Sequence, residues 1–229
     1  DAAIVDTDDM NRILPVLDAA DAESQLAAMA DGAAYVELYK DYGKEIRVAL
    51  TRVGGRPVGL VVGNGKENDG VLTAQSASKA ARFIRLCDCY SLPVVSLINS
   101  KGVAVPAVDE QAATIKATTQ LLYAYAEATT AKMSIVTGNA IGQAYVAMGG
   151  KSNADVTYAW PGAVISALTP EAAVQVLYTD DLKADKKPAL QSRADLEAKF
   201  AADVADGVAG IHSPEEARQP AAVIEERIV

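Results

Sequence analysis

Hydrophobic and polar positions change rhythm part-way along the chain. Up to about residue 63 the rhythm is that of strands. Ala33 to Tyr39 reads as a short strand, and Ile46–Val53 and Arg56–Val62 alternate or run apolar on either side of Gly54-Gly55. Two such runs joined by a glycine pair predict a tight hairpin, because the turn residues must take positive φ. Ahead of these strands, MNRILPVLDAA reads as a helix capped by Asp8 or Asp9, with Pro15 tolerated early or kinking it. Gly63-Asn64-Gly65 leads out of the hairpin as a loop.

From there strands and helices alternate. Ala74–Cys89 is predicted helical, with Ala77, Ala81, Ile84 and Asp88 along one side. Pro93–Ile98 reads as a buried strand. Asp109–Thr129 reads as a long helix, its opening acids Asp109 and Glu110 matching the positive end of the helix dipole. Lys132–Thr137 is the next strand, Gly142–Met148 a short helix and Ala154–Trp160 a further strand. A helix over Pro170–Tyr178 begins at proline, which suits a first turn. After Thr179 the composition turns charged, with Ser192 or Asp195 capping a helix to Ala205 and Ser213-Pro214 opening a last helix to Ile228. No internal repeat or low-complexity linker interrupts the pattern. Repeated β-β-α and β-α units with short loops predict an α/β fold, one layered domain over 1–229 whose 179–229 tail serves packing or oligomerisation.

Composition narrows the function. Half of the 229 residues are hydrophobic, enough for a sizeable core. The net charge of −9 and pI near 4.7 argue against nucleic acid, whose binding needs a basic surface. No apolar run is long enough to span a bilayer, and the start lacks the pattern of a secretory signal, which predicts a cytoplasmic protein or a trimmed start. Cys87 and Cys89 are too close to pair readily and have no companion ligands for zinc, so they read as reduced thiols. His212 is the only histidine, and no supporting motif surrounds it. The adjacent acids Asp180-Asp181, Glu215-Glu216 and Glu225-Glu226 point apart on a helix. Gly63-Asn64-Gly65-Lys66 lacks the spacing of a phosphate loop. The chain is thus poor in catalytic side chains. A glycine turn between a buried strand and a helix, at Gly142, offers backbone amides instead, and such amides hold a developing negative charge without a side chain.

Several segments in order resemble the C-terminal half of the carboxyltransferase β subunits of biotin-dependent acyl-CoA carboxylases and decarboxylases. They are a helix and a glutamate-containing strand at Asp9–Asp18 and Ala34–Tyr39, and Gly55-Arg56-Pro57-Val58-Gly59 at the hairpin. Lys79-Ala80-Ala81-Arg82-Phe83 with Cys87-Asp88 follow, then Leu121–Thr129, Tyr158-Ala159-Trp160-Pro161 and the tail Asp206–Pro214. The resemblance covers nearly the whole chain. It implies the crotonase fold, a spiral of β-β-α units, and transfer of a carboxyl group between carboxybiotin, carried on a separate domain, and the α-carbon of a short acyl-CoA.

On that resemblance the amides of Gly142, Gln143 and Ala144 form the oxyanion hole, Gly102, Val103, Ala104 and Tyr145 contact biotin, and Val146 bears on substrate choice. The implied partners are an acyl-CoA-side half, a biotin carrier protein and further copies of the chain. The sequence departs from the family pattern in its Asn99–Pro106 loop, in Ala112-Ala113 where a glycine pair is usual, and in Gln143 where glycine is usual. These changes leave a second expectation open, a non-catalytic paralogue kept as a structural or carrier-docking subunit. Lys79, Arg82 and Arg85 read as a solvated helix face or as a docking surface for the acidic carrier. A hydratase or isomerase would need an acid at the oxyanion turn, and none lies between Glu127 and Asp155.

Overall fold

The Gly54-Gly55 turn, with φ of +58° and +76°, closes a hairpin of β2 (Ile46–Val53) and β3 (Arg56–Gly63). The Asp31 carboxylate accepts the N–H groups of Gly54 and Gly55 at 2.9 and 2.7 Å and so fixes the turn. This structure is a computed structural model, which describes residues 17–105, 111–177 and 198.

A short strand, β1 (Tyr35–Leu38), pairs antiparallel with β2. Glu37 on β1 takes a two-pronged bond from Arg47 on β2 at 2.7 and 2.5 Å, and the pair holds the Arg47 guanidinium well above its ordinary pKa. Beyond β3 the sheet turns parallel through β4 (Val94–Ser100), β5 (Lys132–Ile141) and β6 (Val156–Ala159). β5 is long enough to serve twice: its first half lies between β4 and β6, and its second half pairs with a three-residue strand, β7 (Val164–Ser166).

Both faces of the sheet are covered, as parallel strands require. Along β4, Val94 and Ile98 join one cluster, while Val95 and Leu97 join the other. The first cluster lies under α2 (Ala74–Cys89) and α3 (Thr114–Glu127), around Phe83, Ile84, Leu121 and Tyr125. The second lies under α1 (Ala22–Met29), around Leu26 and Met29. The buried hydroxyls of Ser96 and Tyr125 pair with each other at 2.6 Å between sheet and helix, and burial pushes the Tyr125 phenol well above its ordinary pKa.

Three expectations about elements change. The predicted helix ending at Ala20 falls mostly outside the described residues, and Leu17–Ala20 are not helical. The helix instead begins at Ala22, because Asp21 caps it by accepting the Glu23 N–H at 3.2 Å. The long helix from Asp109 does not run through: Ala113 takes a left-handed conformation (φ +59°, ψ +41°) and α3 starts at Thr114. Asp109, Glu110 and the tail helices lie outside the described residues, apart from the helical Ala198. Finally, β7 has no counterpart among the elements that the pattern predicts.

Candidate functional site

Two loops at the C-terminal ends of the parallel strands face each other, the usual place for a site in an open α/β sheet. The first follows β4. Leu72 donates to the Gly102 carbonyl at 2.9 Å and accepts from the Ala104 N–H at 2.9 Å, tying the loop to the segment before α2. The Gly102 N–H is taken by the Ser100 hydroxyl at 3.3 Å. Of the three amides at residues 102–104, that of Val103 alone has no partner among the described residues.

The second loop follows β5 and opens α4 (Gly142–Ala147). Its direction is set by Asn99, 5% exposed, which accepts the Asn139 N–H at 2.9 Å and donates to the Ala19 carbonyl at 2.6 Å. The β4–β5 register shifts between Ile98 and Ser100, beside this bond. The shift swings the last residues of β5 toward β7. Gly142 then turns with φ +55°, and a Cβ there would stand 3.1 Å from the Ala167 carbonyl. The N–H groups of Gln143 and Ala144 fall in the first turn, where helix geometry supplies no acceptor, and none is found among the described residues.

Between the loops runs a groove of about 330 Å³ lined by Gly102–Val105 and Ile115 on one side and by Ile141–Gln143, Ala167–Thr169 and Ala172 on the other. Five residues singled out in the sequence therefore meet: Gly102, Val103, Ala104, Gly142 and Gln143. Ala144 has its side chain in the core, which leaves its amide as the group it presents. Tyr145 is not among the groove's lining residues. Its hydroxyl accepts the Lys151 N–H at 3.2 Å and its ring abuts Gly150. Val146 lines a neighbouring groove of about 300 Å³ with Thr118, Thr119, Leu122 and Ala147, and Ile115 and Gln143 border both grooves.

None of the described residues that line the first groove is ionisable. Among the described residues no cluster of His, Cys, Asp or Glu could hold a metal. The arrangement can place an oxygen against unpaired amides in apolar surroundings, where such donors act most strongly. Its described lining residues offer no side chain to serve as acid or base. The Ala167–Thr169 part of the wall has no signal in the sequence, since it follows β7, whose three residues are too few to show a period. Ala172, by contrast, lies on the helix Pro170–Leu177 that the sequence predicts. Lys79 requires a correction. It is not on a solvated face but 2% exposed, donating to the carbonyls of Tyr42 at 2.6 Å and Tyr39 at 3.3 Å. Cys87 is buried, which pushes its thiol up to about 12 and makes it inert, whereas Cys89 is exposed.

Comparison with known proteins identifies the family of the chain. Residues 1–224 match the family model described as the carboxyl transferase domain. The carboxyltransferase subunit of propionyl-CoA carboxylase from Haloferax mediterranei is 37% identical over 169 residues, covering 73% of this chain and 33% of that protein. Methylmalonyl-CoA decarboxylase subunit alpha from Propionigenium modestum is 34% identical over 200 residues, covering 83% and 39% respectively. Among solved structures, a transcarboxylase 12S hexamer with methylmalonyl-coenzyme A and methylmalonic acid bound superposes with a TM-score of 0.80 at 29% identity. It covers 95% of this chain and 44% of that one. The β subunit of geranyl-CoA carboxylase from P. aeruginosa gives 0.75 at 25% identity. The chain spans between a third and two fifths of the length of these curated relatives. Its α/β architecture is the crotonase-like one of carboxyltransferase β subunits, and the chain belongs to the carboxyl transferase domain family.

Proposed function

We propose that this chain is the carboxybiotin-side half of an acyl-CoA carboxyltransferase, working with a separate acyl-CoA-side half, a biotin carrier and further copies of itself. The observation that carries the reading is the groove itself, which brings together the 102–104 loop and the 142–143 turn, with amides that have no partner and a lining that is not ionisable among the described residues. A neutral bicyclic urea fits such a lining, since its carbonyl oxygen is an acceptor and its body is largely apolar. Bound biotin would supply the nitrogen that carries the carboxyl group.

The chain's own residues then bind, orient and exclude water. The amides of Gln143 and Ala144, with that of Val103 across the groove, face an oxygen whose negative charge grows during transfer. Each such donor is worth roughly 3 kcal/mol of barrier. Val103, Ile115 and Leu168 keep the site dry, which strengthens those bonds. Val146, in the adjoining groove, touches the acyl part of the substrate. With no general base among the described lining residues, this reading leaves proton movement to the reactants.

Gln143 is exposed at the groove and favours a second reading, a non-catalytic paralogue whose side chain obstructs the ring. One experiment separates the two. The chain reconstituted with its acyl-CoA-side half and a biotinylated carrier is assayed for carboxyl transfer, beside Gln143→Gly. An active half shows transfer that changes severalfold in the variant. Absence of transfer in both proteins, with the complex assembled, establishes the paralogue.

A further inference from the structure

The β1–β2 connection and α2 line a third cavity, of about 380 Å³, that shares no lining residue with either groove. Its lining is Tyr39, Tyr42, Ser78, Lys79 and Arg82. Lys79 makes this cavity unusual. An ammonium carries three N–H donors, and two of them meet the backbone carbonyls of Tyr39 and Tyr42. No acceptor for the third is found among the described residues.

Nor does any carboxylate among the described residues pair with it. Glu37 on β1 is taken up by Arg47 on β2, and Glu45 stands at 3.4 Å from the Thr73 hydroxyl. Both acids act on Lys79 only at longer range, against the like charge of Arg47, and burial holds the amine down to about 8. A buried charge with an unfilled donor is costly unless an opposite charge joins it. Above it, Arg82 is exposed and makes no ion pair with a described residue. Tyr39 and Tyr42 are each about half exposed, so their rings are available to a ligand.

We infer that this cavity binds a small oxyanion attached to a flat ring, the oxyanion taken by Lys79 and Arg82 and the ring lying against Tyr39 and Tyr42. The oxygen supplies the third acceptor of Lys79 and its counter-charge together, while the guanidinium of Arg82 adds a planar second contact. Ring-on-ring and cation-on-ring contacts supply the rest. The inference stands apart from carboxyl transfer, because neither the residues nor the assay overlap.

Isothermal titration of the full chain at neutral pH with phenyl phosphate, benzoate and inorganic phosphate tests it. At least one of the two ring-bearing probes should bind on the order of tenfold more tightly than inorganic phosphate, and whichever binds better tells a phosphate ligand from a carboxylate one. Arg82→Gln, a change on an exposed side chain that leaves the core intact, should weaken binding by roughly tenfold, and Lys79→Met should abolish it. The Lys79 Nζ resonance of the unaltered protein should move during the titration. No binding by any probe up to ~10 mM overturns the inference. So does equal affinity for inorganic phosphate, or affinity that Arg82→Gln leaves unchanged.

Discussion

Ala113 shows how a single residue can carry strain. Its φ of +59° and ψ of +41° place an alanine in the left-handed region, at the position capping α3, and its side chain makes no capping bond. There the Cβ crowds the following carbonyl, a cost of roughly 1–2 kcal/mol that glycine does not bear. Glycine is also an accepted helix cap. Ala113→Gly should therefore stabilise the protein by about 1 kcal/mol, after the larger entropy glycine loses on folding is subtracted. Urea unfolding followed by circular dichroism reads this as a raised midpoint at unchanged slope. An unchanged or lowered midpoint would show that residue 113 is not held in that conformation. The same scale explains one failure of sequence reading. Lys79 sits beside exposed Arg82 in a helix whose charges look solvated, and only the distant carbonyls of Tyr39 and Tyr42 draw it inward. A contact forty residues away leaves no mark on local periodicity.

At the scale of elements, Asn99 connects the two walls of the groove. It is the last but one residue of β4, just before the Gly102 loop, and its carboxamide fixes the part of β5 that leads to Gly142. Gly63, Gly65, Gly70 and Gly138 crowd it so closely that an added Cβ at any of them would come within 3.0 Å of this residue. Asn99→Leu removes both bonds and leaves the Asn139 N–H and the Ala19 carbonyl without partners, at a cost of about 2 kcal/mol or more. Asn99→Asp keeps the acceptor for Asn139 but sets a carboxylate against the Ala19 carbonyl. Hydrogen exchange should accordingly quicken at residues 139–143 in Asn99→Leu and not in Asn99→Asp, while both loosen the turn at residues 18–21. Quickening at 139–143 in both variants would show that another contact aims the turn.

Elements themselves were legible where the pattern is long or punctuated. The sixteen-residue α2, with its Thr73–Ser76 capping box, was expected over the residues it occupies, and so was the Gly-Gly hairpin. β7 was not, because it is three residues long and exists only as a partner for the outer half of β5. The groove was half legible for the same reason: both backbone turns carry glycine and can be found, and Ala172 stands on a predictable helix, whereas Ala167–Thr169 follow a strand that only the pairing with β5 creates.

For the whole molecule, exposed apolar groups gather where the two grooves open. Val105 is 86% exposed, Ile115 65%, Leu168 43% and Val146 42%, and all four line one groove or the other. Hydrophobic surface of this kind, contiguous and unpaired, marks a contact with another molecule. The chain covers well under half of its relatives' length, so surface turned here toward solvent is surface that a longer protein can cover. Under the proposed function the acyl-CoA-side half covers it, with the substrate between. Ile115→Glu then places a charge at the centre of that contact, on a side chain that contributes little to the fold of the isolated chain. The thermal transition should stay within a few degrees of the original, because an exposed substitution usually costs less than about 0.5 kcal/mol. Sedimentation of the mixed halves should show the complex weakened by on the order of a hundredfold, since burying an unpaired carboxylate costs several kcal/mol. Leu168→Glu, on the opposite wall, should act in the same direction. If both variants assemble as the unaltered chain does, the apolar rim faces ligand alone and the two halves meet elsewhere on the surface.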